Sequence, residues 1–304
     1  MANIYEIVKE NLIAKIEKQM NTPKDEKTIW IKPWSIPDMI PFNHVTERNY
    51  SGVNCFLLAG EGNEFLTFNQ NTNLHEKNDK VKLRKGSKGH IVIFFKWLDK
   101  KNAEDNSSGN NEDTEEKIPM LRYYKVFSVS DVEGLELKYA TTYEHTLEER
   151  ETQLNDALFS YLHREEIAIN FTDTGRAFYR RSTHSIDIPK GQYFKEYSRF
   201  LDTLAHEIGH STGKALGRKE HTAKGDDTYS YEELVAEFTA NLIMARYGLT
   251  SEVTEEQSVA YLASWFSNIK NCPAKLLVSD FSQAERAANF ILGNSDTDSE
   301  ELQI

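Results

Sequence analysis

The run His206-Glu-Ile-Gly-His210 restricts this chain more than any other five residues in it. Two histidines four apart meet on one face of an α-helix, close enough to hold one metal ion between them. Glu207 between them is a carboxylate able to take a proton from water at that metal. The flanks supply the helix. Phe194, Tyr197, Phe200, Leu201, Leu204, Ala205 and Ile208 recur at helical spacing and Gly213 is a natural stop, so Tyr193–Gly213 is expected to pack one face on a core. The competing reading is a pair of ordinary histidines near a helix C-terminus, where the dipole favours their charge. The intervening glutamate and the apolar stripe favour the metal.

A catalytic zinc needs a third protein ligand and an open fourth position. One large subclass continues His-x-x-Gly-x-x-His, but here Leu216 stands where that last histidine should be, and His221 comes five residues too late. The better source is Tyr229-Ser-Tyr-Glu-Glu-Leu-Val-Ala-Glu-Phe, where Leu234, Val235, Phe238 and Leu242 supply a helical apolar face. Glu233 and Glu237 lie one turn apart and can both face the histidine pair. In the Glu-type zinc peptidases the first acid of such a pair binds metal and the second hydrogen-bonds a ligating imidazole. Glu233 is therefore the expected ligand and Glu237 its support. Glu233 also stands three residues after Ser230, so a capping box is the alternative, with Glu232 as the spare ligand. Zinc held by His206, His210 and Glu233 would bring its water to a pKa of about 7, with Glu207 as general base. Tyr229, His221 and Tyr193 are the nearby donors for a developing oxyanion.

Two cysteines, Cys55 and Cys272, fit no metal or redox spacing and are expected to be reduced core thiols. The N-terminus mixes charges into an amphipathic helix without an apolar h-region, and no stretch is long enough to span a membrane. A cytoplasmic protein is the expectation. The net charge of −12 argues against indiscriminate nucleic-acid binding. The charge is uneven, however: residues 1–97 carry 14 Lys+Arg against 11 Asp+Glu, and the remainder is acidic.

Along the chain, residues 4–20 read as a helix with Ile4, Ile7, Val8, Leu12, Ile13 and Ile16 inward. Strand-like runs follow at Asn54–Leu58, Phe65–Phe68, His90–Trp97 and Tyr123–Val129, with a basic loop at Lys80–Lys88. Residues 100–117 contain almost nothing apolar and are expected to be a disordered acidic loop inside the first domain, since strand-like sequence resumes directly after them. The boundary falls near 145. Beyond it come a helix at 148–164, strands at Ile167–Asn170, Ala177–Tyr179 and Ser185–Ile188, the two metal helices, and helices near 254–270 and 281–292. The expected fold is α+β in two domains, 1–145 with a small antiparallel sheet and 146–293 mostly helical, then an acidic tail over 294–304.

The first domain sets aromatics beside cations: Trp30, Trp34, Tyr50 with Arg48, and Phe94, Phe95, Trp97 near Lys82, Arg84, Lys85 and Lys88. That mixture suits stacking of single-stranded nucleic acid, though strand aromatics more often form core. As a set the motifs resemble the ArdC-type antirestriction proteins of mobile elements. The likeness rests on Lys32-Pro-Trp34, Pro41-Phe-Asn43, Thr46–Asn54, Leu83–Gly89, Tyr124–Asp131 with Gly134-Leu135, Ile186–Pro189, Thr203–Gly213, Glu232–Glu237, Tyr261–Trp265 and Ala284–Leu292. It implies an N-terminal single-stranded-DNA-binding domain and a C-terminal zincin-like metallopeptidase domain. Carried over, His206, Glu207, His210 and Glu233 match the Zn²⁺ and catalytic positions, and Tyr50, Asn54, Arg84, Lys85 and Lys88 fall in the N-terminal motifs expected to meet DNA; the aromatic and basic pattern adds Trp34, Arg48 and Lys82 to the expected DNA-binding residues. Two other readings stay open: a DNA-binding protein with a purely structural zinc, and a cytoplasmic zinc protease whose N-terminal domain selects a protein or peptide substrate.

Overall fold

A computed structural model of the chain describes residues 3–20, 40–99, 117–138, 145–218, 227–249 and 266–294. Helix α1 (Ile4–Met20) buries Val8, Leu12 and Ile16 at the helical spacing the sequence predicts. Strands β1 (Phe42–Asn43), β2 (Glu64–Thr67), β4 (His90–Asp99) and β5 (Lys117–Ser128) form one sheet in the order β1-β2-β5-β4. It is antiparallel apart from the β1–β2 pair. The expected loop at 100–117 leaves and re-enters at the end of a long hairpin, because β4 and β5 stay paired as far as Asp99 opposite Lys117. Residue 117 is already strand, and 100–116 lie outside the described residues.

The run Asn54–Leu58 is not a strand. It forms α2 (Val53–Leu58), with every residue buried. A short apolar run surrounded on all sides gives no period by which to tell the two. Helix α3 (Phe68–Lys77) follows β2 through a capping box between Thr67 and Gln70. The basic loop is pinned by β3 (Lys82–Leu83) pairing with β6 (Val132–Glu133). Gly134 permits this: its φ of +69° is left-handed, and a Cβ there would meet the Lys80 carbonyl oxygen at 2.4 Å.

Helix α4 (Leu147–Arg164) opens on a capping box between Thr146 and Glu149, just past the predicted boundary. A second sheet of β7 (Ala168–Thr172), β8 (Phe178–Arg180) and β9 (Ser185–Pro189), in the order β7-β9-β8, lies beside α5 (Tyr197–Ala215). Helix α6 (Asp227–Arg246), a helical stretch at 266–271 and α7 (Ala274–Leu292), closed by left-handed Gly293, complete the described chain. The expected helix near 254–270 falls mostly, and the acidic tail almost wholly, on residues outside the described set.

Among the described residues the main buried cluster spans both halves, and a smaller one of Leu66, Val81, Val129 and Val132 lies in the first. One buried cluster runs from Val8, Leu12 and Ile16 through Phe56 to Phe238 and Phe281. Phe238 and Phe281 stack at 4.0 Å, and Phe56 packs on both at 5.1 and 4.6 Å. Polar ties cross as well: Lys9 Nζ donates to the Cys272 carbonyl at 2.7 Å, and Gly52 N–H to Glu285 at 3.2 Å. Both cysteines are buried free thiols, as expected.

Candidate metal centre

The site is built by α5 and α6 lying against each other. Gly209, inside the His-x-x-x-His turn, is a point of close approach, where a Cβ would come within 3.1 Å of Ala236 Cα and 3.3 Å of its carbonyl oxygen. That proximity sets the acids of α6 across from the histidines of α5. His206 Nε2 and His210 Nε2 are 3.2 Å apart, and Glu233 oxygens lie 3.5 and 3.6 Å from them. One donor atom from each of the three residues falls within 4.8 Å of the others. Helix α6 begins at Asp227, so Ser230 is inside it and not at its cap. The capping alternative for Glu233 is thereby removed.

Behind each imidazole stands a buried carboxylate. His206 Nδ1 is 3.3 Å from Glu237 Oε2, the supporting place predicted for Glu237. His210 Nδ1 is 3.5 Å from Glu232 Oε1, a role the sequence reading did not give that residue. Glu232 in turn accepts two hydrogen bonds from Arg218, at 2.8 and 3.0 Å, and the same guanidinium reaches Thr212 Oγ1 at 2.7 Å and the Gly209 carbonyl at 2.8 Å. Burial alone would raise the Glu232 carboxyl, but His210 and Arg218 outweigh it and hold it down at about 2. Burial alone would likewise lower His206. Glu233 and Glu237, with Glu207, overcome that and push the imidazole up to about 10. A buried ring that binds a proton so tightly sits where positive charge is wanted. Two imidazole nitrogens and a carboxylate in that environment fit a divalent cation.

Glu207 is buried beside His206, within electrostatic reach of it. The oxyanion candidates fare differently. Tyr193 sits on an exposed turn with its hydroxyl donating to Asp173 at 3.3 Å, so it is engaged away from the histidines. His221 lies outside the described residues, and of Tyr229 only the helical backbone is described.

Of the predicted nucleic-acid residues, Arg48, Lys82, Arg84, Lys85 and Lys88 are exposed, with Arg84 3.8 Å from Glu133 and Lys88 3.6 Å from Glu61. Tyr50 and Asn54 are corrections. Tyr50 is 3% exposed and packs edge-on against Phe65, while Asn54 bonds the backbone of Ile93 in both directions at 2.8 Å. Neither can offer a face to a base. Trp34 lies outside the described residues. The described aromatics that are exposed in this part are Phe68 and Tyr123, at 58% and 46%. Tyr123 follows Arg122 directly in β5, so the sequence already set it beside a cation. No helix among the described residues is long and apolar enough to cross a membrane.

Comparison with known proteins agrees with this arrangement. Residues 2–127 match the model of the N-terminal domain of anti-restriction factor ArdC, and residues 156–279 that of a zincin-like metallopeptidase. The metal-free crystal structure of the antirestriction protein ArdC from plasmid R388 superposes with a TM-score of 0.68 at 27% identity, covering 100% of both chains. Its Mn(II)-bound structure gives 0.66 at 26% identity, over 99% of this chain and 100% of that one. The DNA primase TraC of Escherichia coli is 26% identical over 95% of this chain, which spans only 20% of that protein's length. The chain thus joins an ArdC-type N-terminal domain to a zincin-like metallopeptidase domain and is similar over its whole length to the antirestriction protein ArdC.

Proposed function

We propose that this protein shields single-stranded DNA of a mobile element through its N-terminal part and carries a zinc-dependent peptidase site in its C-terminal part. The observation that carries the peptidase reading is the convergence of His206, His210 and Glu233, with Glu207 next to them on α5. When bound, zinc supplies an acidified water and polarises the scissile carbonyl. Glu207 takes the proton of the attacking water on its carboxylate and delivers it to the leaving amine. Glu237 and Glu232 hold the two rings with Nε2 facing Glu233. Tyr229, one turn before Glu233, and His221 are the donors proposed for the oxyanion. A purely structural metal would have no use for a base between its ligands.

The DNA reading is supported by the exposed cations Arg48, Lys82, Arg84, Lys85 and Lys88, and by the likeness of this chain to part of a DNA primase. Stacking is assigned to Phe68 and Tyr123. The protein is proposed to act in the cytoplasm.

The test is metal analysis of wild type and Glu207→Gln, with peptide cleavage and a single-strand binding titration on both. Glu207→Gln should keep its zinc and lose all cleavage, and single-strand affinity should fall steeply with salt. Cleavage unchanged in Glu207→Gln would remove Glu207 as the base. No single-strand binding at low salt would leave a protease whose N-terminal part selects a protein.

A further inference from the structure

Three nitrogen donors from three elements converge on one carboxylate in the N-terminal half. Lys15 of α1, Lys88 at the end of the basic loop and His90 at the start of β4 stand 3.6, 3.6 and 3.9 Å from Glu61. Charge-assisted hydrogen bonds bring nitrogen to within about 2.7–2.9 Å of oxygen. Each donor could therefore come closer to an anion than it comes to Glu61.

Positive charge outweighs negative here. Burial pulls the Lys15 ammonium down to about 8, although Glu61 works against it. Burial, with Lys15 and Lys88 close by, also holds His90 below its ordinary value, so the ring offers an N–H and not a charge. Lys18 is within electrostatic reach of Glu61, and Asp131 is a second acid near His90. Lys15, Lys18 and Lys88 outnumber the two acids, in a protein whose net charge is −12.

Glu61 is held in a way that lets it leave. Lys88 is 70% exposed, and Lys15 and Glu61 are 23% and 22% exposed, so the cluster opens to solvent beside the basic loop. Glu61 stands between Gly60 and Gly62, whose φ values are +73° and +112°. Lys15 keeps its place without Glu61, because its Nζ also donates to the Ala59 carbonyl at 2.7 Å.

We propose that Lys15, Lys88 and His90 form a phosphate seat, and that Glu61 fills it in the free protein until a phosphodiester of the single strand displaces it. The proposal rests on the DNA reading above and adds a regulation to it. Glu61 is an internal competitor that holds back part of the affinity.

Two measurements on the full chain separate the seat from the reading beneath it. In the first, a labelled oligo(dT) is titrated at low salt and followed by fluorescence anisotropy. Glu133 supplies the control, since it stands 3.8 Å from Arg84 of the same loop but is 60% exposed. Glu61→Gln should bind roughly 3–10-fold tighter than wild type, and Glu133→Gln should stay within about twofold of it. In a Lys88→Gln background the gain from Glu61→Gln should shrink to about twofold or less. A Glu61→Gln protein that binds no tighter than wild type, or a gain that Glu133→Gln matches, would overturn the seat and leave the DNA reading standing.

In the second, thymidine 5′-monophosphate is compared with thymidine by thermal unfolding of wild type and Lys88→Gln, which needs no change at Glu61. The nucleotide should raise the Tm of wild type, thymidine should not, and Lys88→Gln should lose the difference. Equal effects of nucleotide and nucleoside on wild type would count against the seat even if Glu61→Gln failed to fold. No oligo(dT) binding by any variant would sink the DNA reading. A phosphate-dependent shift lost in Lys88→Gln would then keep the seat as one for free nucleotides, and its absence would overturn both.

Discussion

Replacing Arg218 with Met tests whether the support behind His210 is what holds the metal centre in shape. The guanidinium and the Glu232 carboxylate are each only 5% exposed, and Arg218 makes four hydrogen bonds, two of them to Glu232. Met fills most of the volume but takes the guanidinium away from the buried Glu232 carboxylate. Removing one member of a buried ion pair costs about 3–5 kcal/mol. Proton uptake by Glu232 limits the loss, so the lower half of that range is expected. For a chain of this size such a loss lowers Tm by roughly 5–6 °C. The double variant Arg218→Met/Glu232→Met carries no stranded charge and should recover much of this, giving a coupling of about 2 kcal/mol in a double-mutant cycle.

Stability alone would not connect the clamp to the metal. The second readout is zinc affinity by competition with a chromophoric chelator. Removing Glu232 in the double variant frees the Nδ1 side of His210 and should weaken binding about 10–100-fold, while Arg218→Met, which keeps the carboxylate beside the ring, should weaken it less. Thermal unfolding of the metal-free proteins supplies the cycle. An Arg218→Met protein that melts within about 1 °C of wild type, or a double variant that binds zinc like wild type, would refute the reasoning.

Further predictions follow from other contacts. Gly209→Ala forces α6 away from α5 by a few tenths of an ångström at Ala236. Zinc affinity should fall more than tenfold with the fold retained by circular dichroism, and unchanged affinity would show that the close contact does not set the ligand distances. Asp280 is held up to about 8 by burial, with the charge of Glu232 adding to it. The folded protein therefore keeps a proton that the unfolded chain gives up above about pH 4, and Asp280 subtracts stability progressively between about pH 4 and 8, by up to about 1.4 kcal/mol per pH unit. Asp280→Asn should accordingly match wild type near pH 4 and melt higher at pH 7–8; parallel melting curves across that range would contradict it. Phe68→Ala/Tyr123→Ala should weaken single-strand binding by about 1–3 kcal/mol per stacked base with the salt slope unchanged. Lys85→Ala/Lys88→Ala should instead reduce the slope.

The sequence makes the metal ligands legible because a helix converts spacing directly into geometry. His206, His210, Glu233 and Glu237 each occupy the place their spacing predicts, and the stripe from Phe200 to Ile208 is buried as read. Arg218 was not legible. It lies beyond the end of α5 with no periodicity to place it, and its partners Gly209, Thr212 and Glu232 come from two helices. Tyr50 and Asn54 misled for a related reason: a motif rich in polar and aromatic residues reads as surface, whereas Asn54 spends its amide on the edge of β4 at Ile93. Fully buried α2 read as a strand because burial on every side erases the period that distinguishes the two.

The shared core bears on how the two activities are related. Phe238 lies one residue beyond Glu237 on α6, and Phe56 of the N-terminal half packs on Phe238 and Phe281 together. The helix that carries Glu233, the proposed third metal ligand, is thus seated on its other side against the N-terminal half. Separating the halves would expose these rings to water, at about 1.5–3 kcal/mol for each large side chain uncovered. It would also release the surface against which α6 is positioned. Any order that the proposed metal brings to α5 and α6 would be shared with Phe56 through Phe238, and steadying α6 from the N-terminal half would then favour the metal. Linkage is reciprocal, so whatever metal binding contributes to the seat of Phe56 is returned to the metal site by the N-terminal half. The packing ties the two halves together: the proposed metal site is completed on a surface that the N-terminal half helps to build.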